Sequence, residues 1–219
     1  MTDRTARASG WAEEQPPHPD DVRAVGYGPD ELPQVPRRFA DLPVHKEESG
    51  RRDFWNPNLS APEPSMVYLV DERYLYVTDK AGRVEHAEGW LGRLPSEENA
   101  DRRNLYAQRQ AGKPDRERSD DGGHLFATSF EGPGEAINLT AQARSQNQPV
   151  KGSNNWHRME DALLAKRVAG IQVHATIAVR YPDGTTERPS ARNVTLHHEG
   201  RPPRRSIFRD PKSQRNRET

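Results

Sequence analysis

The run Asp120-Asp121-Gly122-Gly123-His124 places an imidazole directly after two carboxylates and two glycines. A neutral imidazole with an ordinary pKa near 6.5 is mostly free to accept a proton at pH 7, so His124 is suited to general-base work. Glycine admits positive φ and close backbone approach, which delivers His124 at the mouth of a strand that continues into Leu125, Phe126 and Ala127. Two amides, Gln142 and Asn147, and a carboxylate, Glu160, follow within forty residues. Taken singly each has a plain structural reading: a histidine after glycines sits in many turns, and an asparagine caps many helices.

Elements to hold these groups are legible around them. Gly132-Pro133-Gly134 is a turn, and the apolar piece from Ala136 to Leu139 predicts a second short strand. Ser153, Asn154 and Asn155 signal a helix start. Trp156, Met159, Leu163, Leu164 and Val168 then recur on one helical face, with Lys166 and Arg167 in the last turn and Gly170 as the stop. The order is strand, turn, strand, helix, with a histidine on the first strand and amides at the entry to the helix.

That order resembles the DNA/RNA non-specific endonucleases, a family of ββα-metal or His-Me finger nucleases. The family's DRGH motif is matched by Asp121-Gly122-Gly123-His124. Its N-x-x-P-Q-x-x-x-x-N motif is matched by Asn138, Gln142 and Asn147, and its W-x-x-L-E motif by Trp156 to Glu160. The likeness is closest to a bacterial branch reading DxGHLIA and then FGGPG, here Asp121 to Ala127 and Phe130 to Gly134. It covers residues 66 to 200 loosely and 119 to 165 tightly.

The resemblance implies a magnesium-dependent endonuclease, with manganese as a substitute ion, that hydrolyses DNA and RNA phosphodiesters and leaves 5′-phosphates. It implies His124 as the base that activates water, Asn147 as the protein ligand of the metal, and Glu160 as the group that orients metal-bound water. Magnesium prefers oxygen ligands and keeps several waters, so one neutral amide ligand is chemically reasonable and leaves the ion's charge for the phosphate. Asp121 belongs to the same motif, and Arg109 precedes the finger where family members carry substrate-contacting residues. Departures are informative. Gly122 stands for the motif's arginine and Ala141 for its proline. The interval from Asn147 to Trp156 is longer than in the best-known members, which leaves Asn154 and Asn155 as alternative ligands. Leu164 occupies the place of the family helix's arginine, so Arg167, Arg103 or Arg109 would have to face the phosphate.

Beyond the finger, 32% hydrophobic and 30% charged residues in 219 allow a core for part of the chain only. Thirty-three basic and 33 acidic residues balance, so net charge does not advertise nucleic acid. There is no cysteine, which excludes disulfides and thiolate metal sites. The first twenty residues lack an apolar core, and no run is long enough to span a bilayer. The reading is a cytoplasmic protein, or one exported without a Sec-type signal peptide, with no membrane partner.

Residues 1 to 65 are acidic and proline-rich and read as a disordered arm, with Phe54 and Trp55 tacking it to the domain. Met66 to Ala87 reads as a β-meander, in which Arg83 is structural. Residues 96 to 119 read as a solvated helix and loop. Ile171 to Tyr181 alternates as a strand and turns at Pro182-Asp183-Gly184 toward Val194 to Leu196. His174, His197 and His198 do not converge in that geometry, which argues against zinc. Residues 201 to 219 read as a basic tail, solvated or an electrostatic tether for nucleic acid.

The expected fold is therefore α+β: a ββα-metal finger on an antiparallel sheet within residues 66 to 200, flanked by disordered N- and C-terminal arms. Branch members are often toxin domains neutralised by a cognate immunity protein, which would then be a partner besides DNA and RNA. Two competing readings are an inactive nucleic-acid- or partner-binding module on the same fold, and an interaction protein whose arms carry the function. A nuclease should keep its core activity without residues 1 to 65 and 201 to 219.

Overall fold

In a computed structural model, residues 12–13, 25–92, 102–198 and 201–210 are described. Among the described residues, ten strands and four α-helices run in the order β1 (Ala12–Glu13), β2 (Val44–Glu47), α1 (Pro57–Ser60), β3 (Val67–Val70), β4 (Tyr74–Thr78), β5 (Val84–Trp90), α2 (Leu105–Gln110), β6 (Asp120–His124), β7 (Leu139–Ala143), α3 (Arg144–Asn147), α4 (Trp156–Val168), β8 (Val173–Arg180), β9 (Ala191–His198) and β10 (Arg201–Arg209). Eight strands form one sheet in the order β1-β10-β9-β8-β5-β4-β3-β2, while β6 and β7 form a separate two-stranded sheet. Every pairing is antiparallel except that of β2 with β3. The meander from β3 to β5 lies where its β-rich runs and turn put it, and the β8–β9 hairpin where the alternation from Ile171 and the Pro182-Asp183-Gly184 turn put it. Arg83 is structural, bonded to Asp79 and to the carbonyls of Asp183 and Thr186.

The main core lies between the large sheet and the finger. Tyr74, Tyr76, Ile177 and Val194 pack there against Leu125, Phe126, Ile137, Trp156 and Leu163. The opposite sheet face is also covered, since Val67, Leu75 and Val77 pack with Val35, Phe39 and Leu42. Two covered faces explain why every residue of β3 and of β4 is buried, leaving no polar alternation in either.

Residues 25 to 65 thus differ from the expected disordered arm. Their prolines rule out long helices but not a strap over a sheet face, a parallel edge strand or the one-turn helix α1, which Asn56 caps through Asn58 N and Leu59 N. Residues 1 to 24, save the two of β1, lie outside the described residues, as do 93 to 101, 199 to 200 and 211 to 219. Residues 201 to 210 depart from the tail reading in the same way, because Arg204 to Arg209 pair in register with Leu196 to Ala191.

Two local differences have clear causes. Ala136–Asn138 form a 3₁₀ turn and the strand starts only at Leu139. Asn138 is fully buried and binds the Phe126 backbone on both sides, accepting from N at 2.9 Å and donating to O at 2.8 Å, while donating to Pro133 O and accepting from Tyr76 Oη. The side chain replaces strand pairing for that segment. Helix α4 starts and stops as its pattern predicts, capped by Asn155 and followed by Gly170 at φ +75°. Its apolar stripe is shorter than expected: Trp156 and Leu163 are buried, but Val168 is 65% exposed.

Candidate active site on the two-stranded finger

Strands β6 and β7 pair from Asp120 opposite Ala143 to His124 opposite Leu139. The two glycines have separate steric reasons. A Cβ on Gly122 would lie 2.2 Å from the Gln108 carbonyl oxygen, so helix α2 rests on the backbone where the family's motif has an arginine. A Cβ on Gly123 would lie 1.8 Å from Gln142 Oε1. Arg116 ties this packing together by donating to both Gln108 O and Asp120 O.

Buried ion pairs fix the finger to the large sheet. Arg188 holds the Asp120 carboxylate with Nε and Nη2 at 2.7 and 3.0 Å. Arg192, fully buried on β9, donates to Thr140 Oγ1, Ala141 O and Asp210 Oδ2. Asp210, just beyond β10, also accepts from Ala143 N at 2.8 Å. The Arg192 guanidinium lies 5.7 Å over the Trp156 ring, which adds a cation–π contact to helix α4. Of these four charged residues only Asp120 stood out in sequence, as the first of the two carboxylates before His124; nothing in the local pattern distinguishes Arg188, Arg192 and Asp210 from solvated charges.

His124 ends β6. Its Nε2 is buried and has no hydrogen-bond partner among the described residues. Burial, with the Arg103 charge adding to it, lowers its pKa to about 4. Asp121, three residues earlier, accepts from Asn147 Nδ2 at 3.2 Å and from Gln148 Nε2 at 2.8 Å. An amide whose NH₂ is so engaged turns its oxygen elsewhere, so Asp121 orients Asn147. Asn147 ends α3, and Asn155 locks α3 to α4 by donating to Ser145 O and Gln148 O while its Oδ1 caps Arg158 N. Asn155 is therefore committed on every side-chain atom and is not a free metal ligand; Asn154 is exposed. Gln146 adds a second α3–α4 tie, accepting from Trp156 N at 3.2 Å.

Glu160 lies one turn into α4 and accepts from Trp156 Nε1 at 3.0 Å. It borders a small cavity lined mainly by apolar side chains, including Leu125, Phe126, Met159 and Leu163. Burial there pushes its pKa up to about 7, the Asp161 charge adds to the rise, and the indole hydrogen bond opposes it. Gln142 is fully buried with both amide atoms unpartnered among the described residues.

The arginines separate. Arg167 donates to Gly92 O, Ile171 O and Gln172 Oε1 at the far end of α4, so it serves the helix terminus. Arg109 is exposed on the last turn of α2, and Arg103 is exposed just before that helix. Of the two, the charge of Arg103 is the one felt by His124. Among the described residues, no group of three His, Cys, Asp or Glu side chains could hold a metal ion. His174 instead shares a hydrogen bond with Tyr27 Oη at 2.8 Å. A hard amide oxygen such as Asn147 Oδ1 is a donor of the kind a divalent ion that retains most of its waters could use. No described helix is long and apolar enough to cross a membrane.

The chain is similar to several known proteins. The type VII secretion system protein EssD of Staphylococcus aureus strain USA300 is 33% identical over 137 residues, which cover 62% of this chain. The chain spans only 22% of that relative's length. Two crystal structures of NucA from Streptococcus agalactiae are also matched. One, with no metal bound, has TM-score 0.48 and 15% identity over 72% of this chain and 76% of its own. The other, with magnesium bound, has TM-score 0.48 and 17% identity over 64% and 71%. Residues 64–200 match the DNA/RNA non-specific endonuclease family, and the chain belongs to it.

Proposed function

We propose that this chain is a metal-dependent endonuclease that hydrolyses DNA and RNA phosphodiesters without strong sequence preference and leaves 5′-phosphates. The observation that carries the reading is His124, held neutral by its surroundings at the end of β6, three residues from the Asp121 carboxylate that fixes the Asn147 amide. A base must be unprotonated at working pH, and a histidine whose pKa is lowered to about 4 meets that condition throughout the neutral range.

His124 accepts a proton from water as the water oxygen attacks phosphorus and the bridging P–O3′ bond breaks, the departing 3′-oxygen taking a proton from solvent to become the 3′-hydroxyl. Asp121 keeps the Asn147 oxygen pointed away from its own NH₂ contact, and Arg103 offers positive charge to the phosphate beside His124. A magnesium ion, or manganese in its place, held by Asn147 with Glu160 ordering its water shell, would supply charge to the phosphate and to the departing oxygen. Asp121 is thus a positioning residue, and Arg109 a phosphate contact on the exposed face of α2.

The likeness to a type VII secretion system protein supports a further part of this reading: the domain acts as a delivered toxin, restrained in the producing cell by a cognate immunity protein. The test of the catalytic core is cleavage of plasmid DNA and structured RNA by purified protein with magnesium and with EDTA, alongside His124→Ala. Metal-dependent cleavage lost in the variant supports the assignment; full activity in His124→Ala refutes it. Folded protein that binds nucleic acid but never cleaves it would establish the binding-module alternative.

A further inference from the structure

Among the described residues, two aromatic side chains stand out in solvent: Phe54 is 84% exposed and Tyr106 is 68% exposed. The other aromatics are buried or half-buried. Both exposed rings sit on segments tied to the finger. Phe54 lies in the turn closed by its bridge to Arg51 and is held from both flanks, because Gly50 N and Asn56 N donate to Oε1 of the fully buried Glu135 at 2.6 and 3.1 Å. Tyr106 is in the first turn of α2, whose backbone rests on Gly122 of β6. The two segments meet at Gly134, where an added Cβ would lie 2.1 Å from Arg102 O and 2.7 Å from the Trp55 ring.

Exposed cations accompany these rings: Arg51 and Arg52 precede Phe54, with the exposed Asp53 between, and Arg103 and Arg109 flank Tyr106. Arg103 and Arg109 are exposed and make no ion pair or hydrogen bond with another described residue. Arg109 falls three residues after Tyr106 and so shares its side of α2. Arg103 stands close enough to His124 for its charge to act on the imidazole. Exposed rings beside uncommitted cations are the combination that holds an unpaired strand, with bases stacked on the rings and phosphates on the guanidinium groups. A continuous duplex hides its base faces and can use only the cations.

We infer that Phe54 and Tyr106, with Arg103 and Arg109, form a stacking platform beside His124, and that the substrate class of this site is single-stranded or locally opened nucleic acid. The inference rests on the nuclease reading for its consequence in catalysis, but it is measured by binding alone. In a His124→Ala background, fluorescence anisotropy compares a short labelled single strand with the same sequence as a duplex at fixed salt. Tyr106→Ala and Phe54→Ala should each weaken single-strand binding roughly fivefold or more and leave duplex binding within about twofold, since stacking acts only on exposed bases. Tyr106→Phe should keep the wild-type preference because it keeps the ring. Equal losses on both substrates would reduce the rings to general surface and overturn the proposal. No loss on either would do the same. Because both rings are exposed, the variants should melt with the parent. Absence of cleavage by wild-type protein would count against the nuclease and leave this binding comparison standing.

Discussion

Deletion of residues 201 to 219 should unfold the finger rather than merely remove a basic extension. It takes away β10 and with it Asp210, which accepts from the fully buried Arg192 and from Ala143 N of β7. The single substitution Asp210→Ala isolates the second part. It leaves the Arg192 guanidinium buried without its counter-charge, a change that costs about 3–5 kcal/mol when one partner of a buried pair is removed. The orphaned Ala143 N–H works in the same direction, although the two effects share one site and do not add in full. Against a total stability of about 5–15 kcal/mol for a domain, that is a large fraction. The melting temperature should fall by about 10 °C, taking roughly 2–4 °C per kcal/mol for a chain of this size. Arg192→Met combined with Asp210→Leu should recover much of the loss, because removing both charges also removes their desolvation. Urea unfolding followed by tryptophan fluorescence reads the effect, since Trp156 lies under Arg192. A loss below about 1 kcal/mol for Asp210→Ala, or an unchanged melting temperature after deletion from 201, would refute the clamp.

Activity measured against pH should keep its plateau down to about pH 5 and fall through about 4, because the neutral imidazole is the active form and His124 protonates only there. Arg103→Ala should move that limb upward, since it removes a charge that disfavours the imidazolium; an acidic limb at 6.5 in the parent would contradict the assignment. Glu160 is pushed up to about 7, and a cation favours its carboxylate, so magnesium affinity should rise with pH up to about 7. Calorimetry in buffers of different ionisation heat would show the matching proton release, and a pH-independent affinity would exclude Glu160 from the site. Asp121→Ala should weaken magnesium binding by about 10–100-fold through the loose Asn147 amide, with little change in melting temperature because both partners are near the surface. Gly122→Ala should cost more stability than Gly123→Ala, about 1–3 kcal/mol, because its Cβ meets the α2 backbone while that of Gly123 meets the end of a side chain.

The legible parts of the sequence share a property: their signal is local. Helix α4 announces itself by its cap and spacing, the β3–β5 segment by β-rich runs and a turn, the β8–β9 segment by alternation and a turn, and the finger by three short motifs in order. What stayed hidden depends on contacts far apart in the chain. Asp120 and Arg188 are 68 residues apart, and Glu135 reaches 85 residues back to Gly50. Proline density made residues 25 to 65 look unstructured, yet a strap needs only a few apolar residues, Val35, Phe39 and Leu42, placed over a sheet face. The basic composition of residues 201 to 210 hid a strand whose neighbouring Ile207 and Phe208, on opposite faces, are both buried. Among candidate site residues, Asp121 was legible as a motif member, but its hold on Asn147 was not. Arg103 was one of several arginines until its charge was seen to act on His124.

The proposed site, in which one amide would hold a metal, places unusual weight on the frame around that amide. With several protein ligands, the ion itself would help assemble the site; with one, the geometry must exist beforehand. The chain meets that demand in layers. Asp121 fixes the Asn147 side chain, Asn155 and Gln146 fix α3 against α4, and Arg192 binds β7 while covering Trp156 at the start of α4. Arg188 does the same for Asp120 at the other end of β6 from His124. The two buried arginines come from the β8–β9 loop and from β9, so the large sheet serves as the rigid reference for a finger that has only two strands of its own. A two-stranded ribbon alone is marginal in water. The longer interval between Asn147 and Trp156 is absorbed within this frame, since the ties on both sides of it, Asn155 to Ser145 and Gln148, hold its ends together.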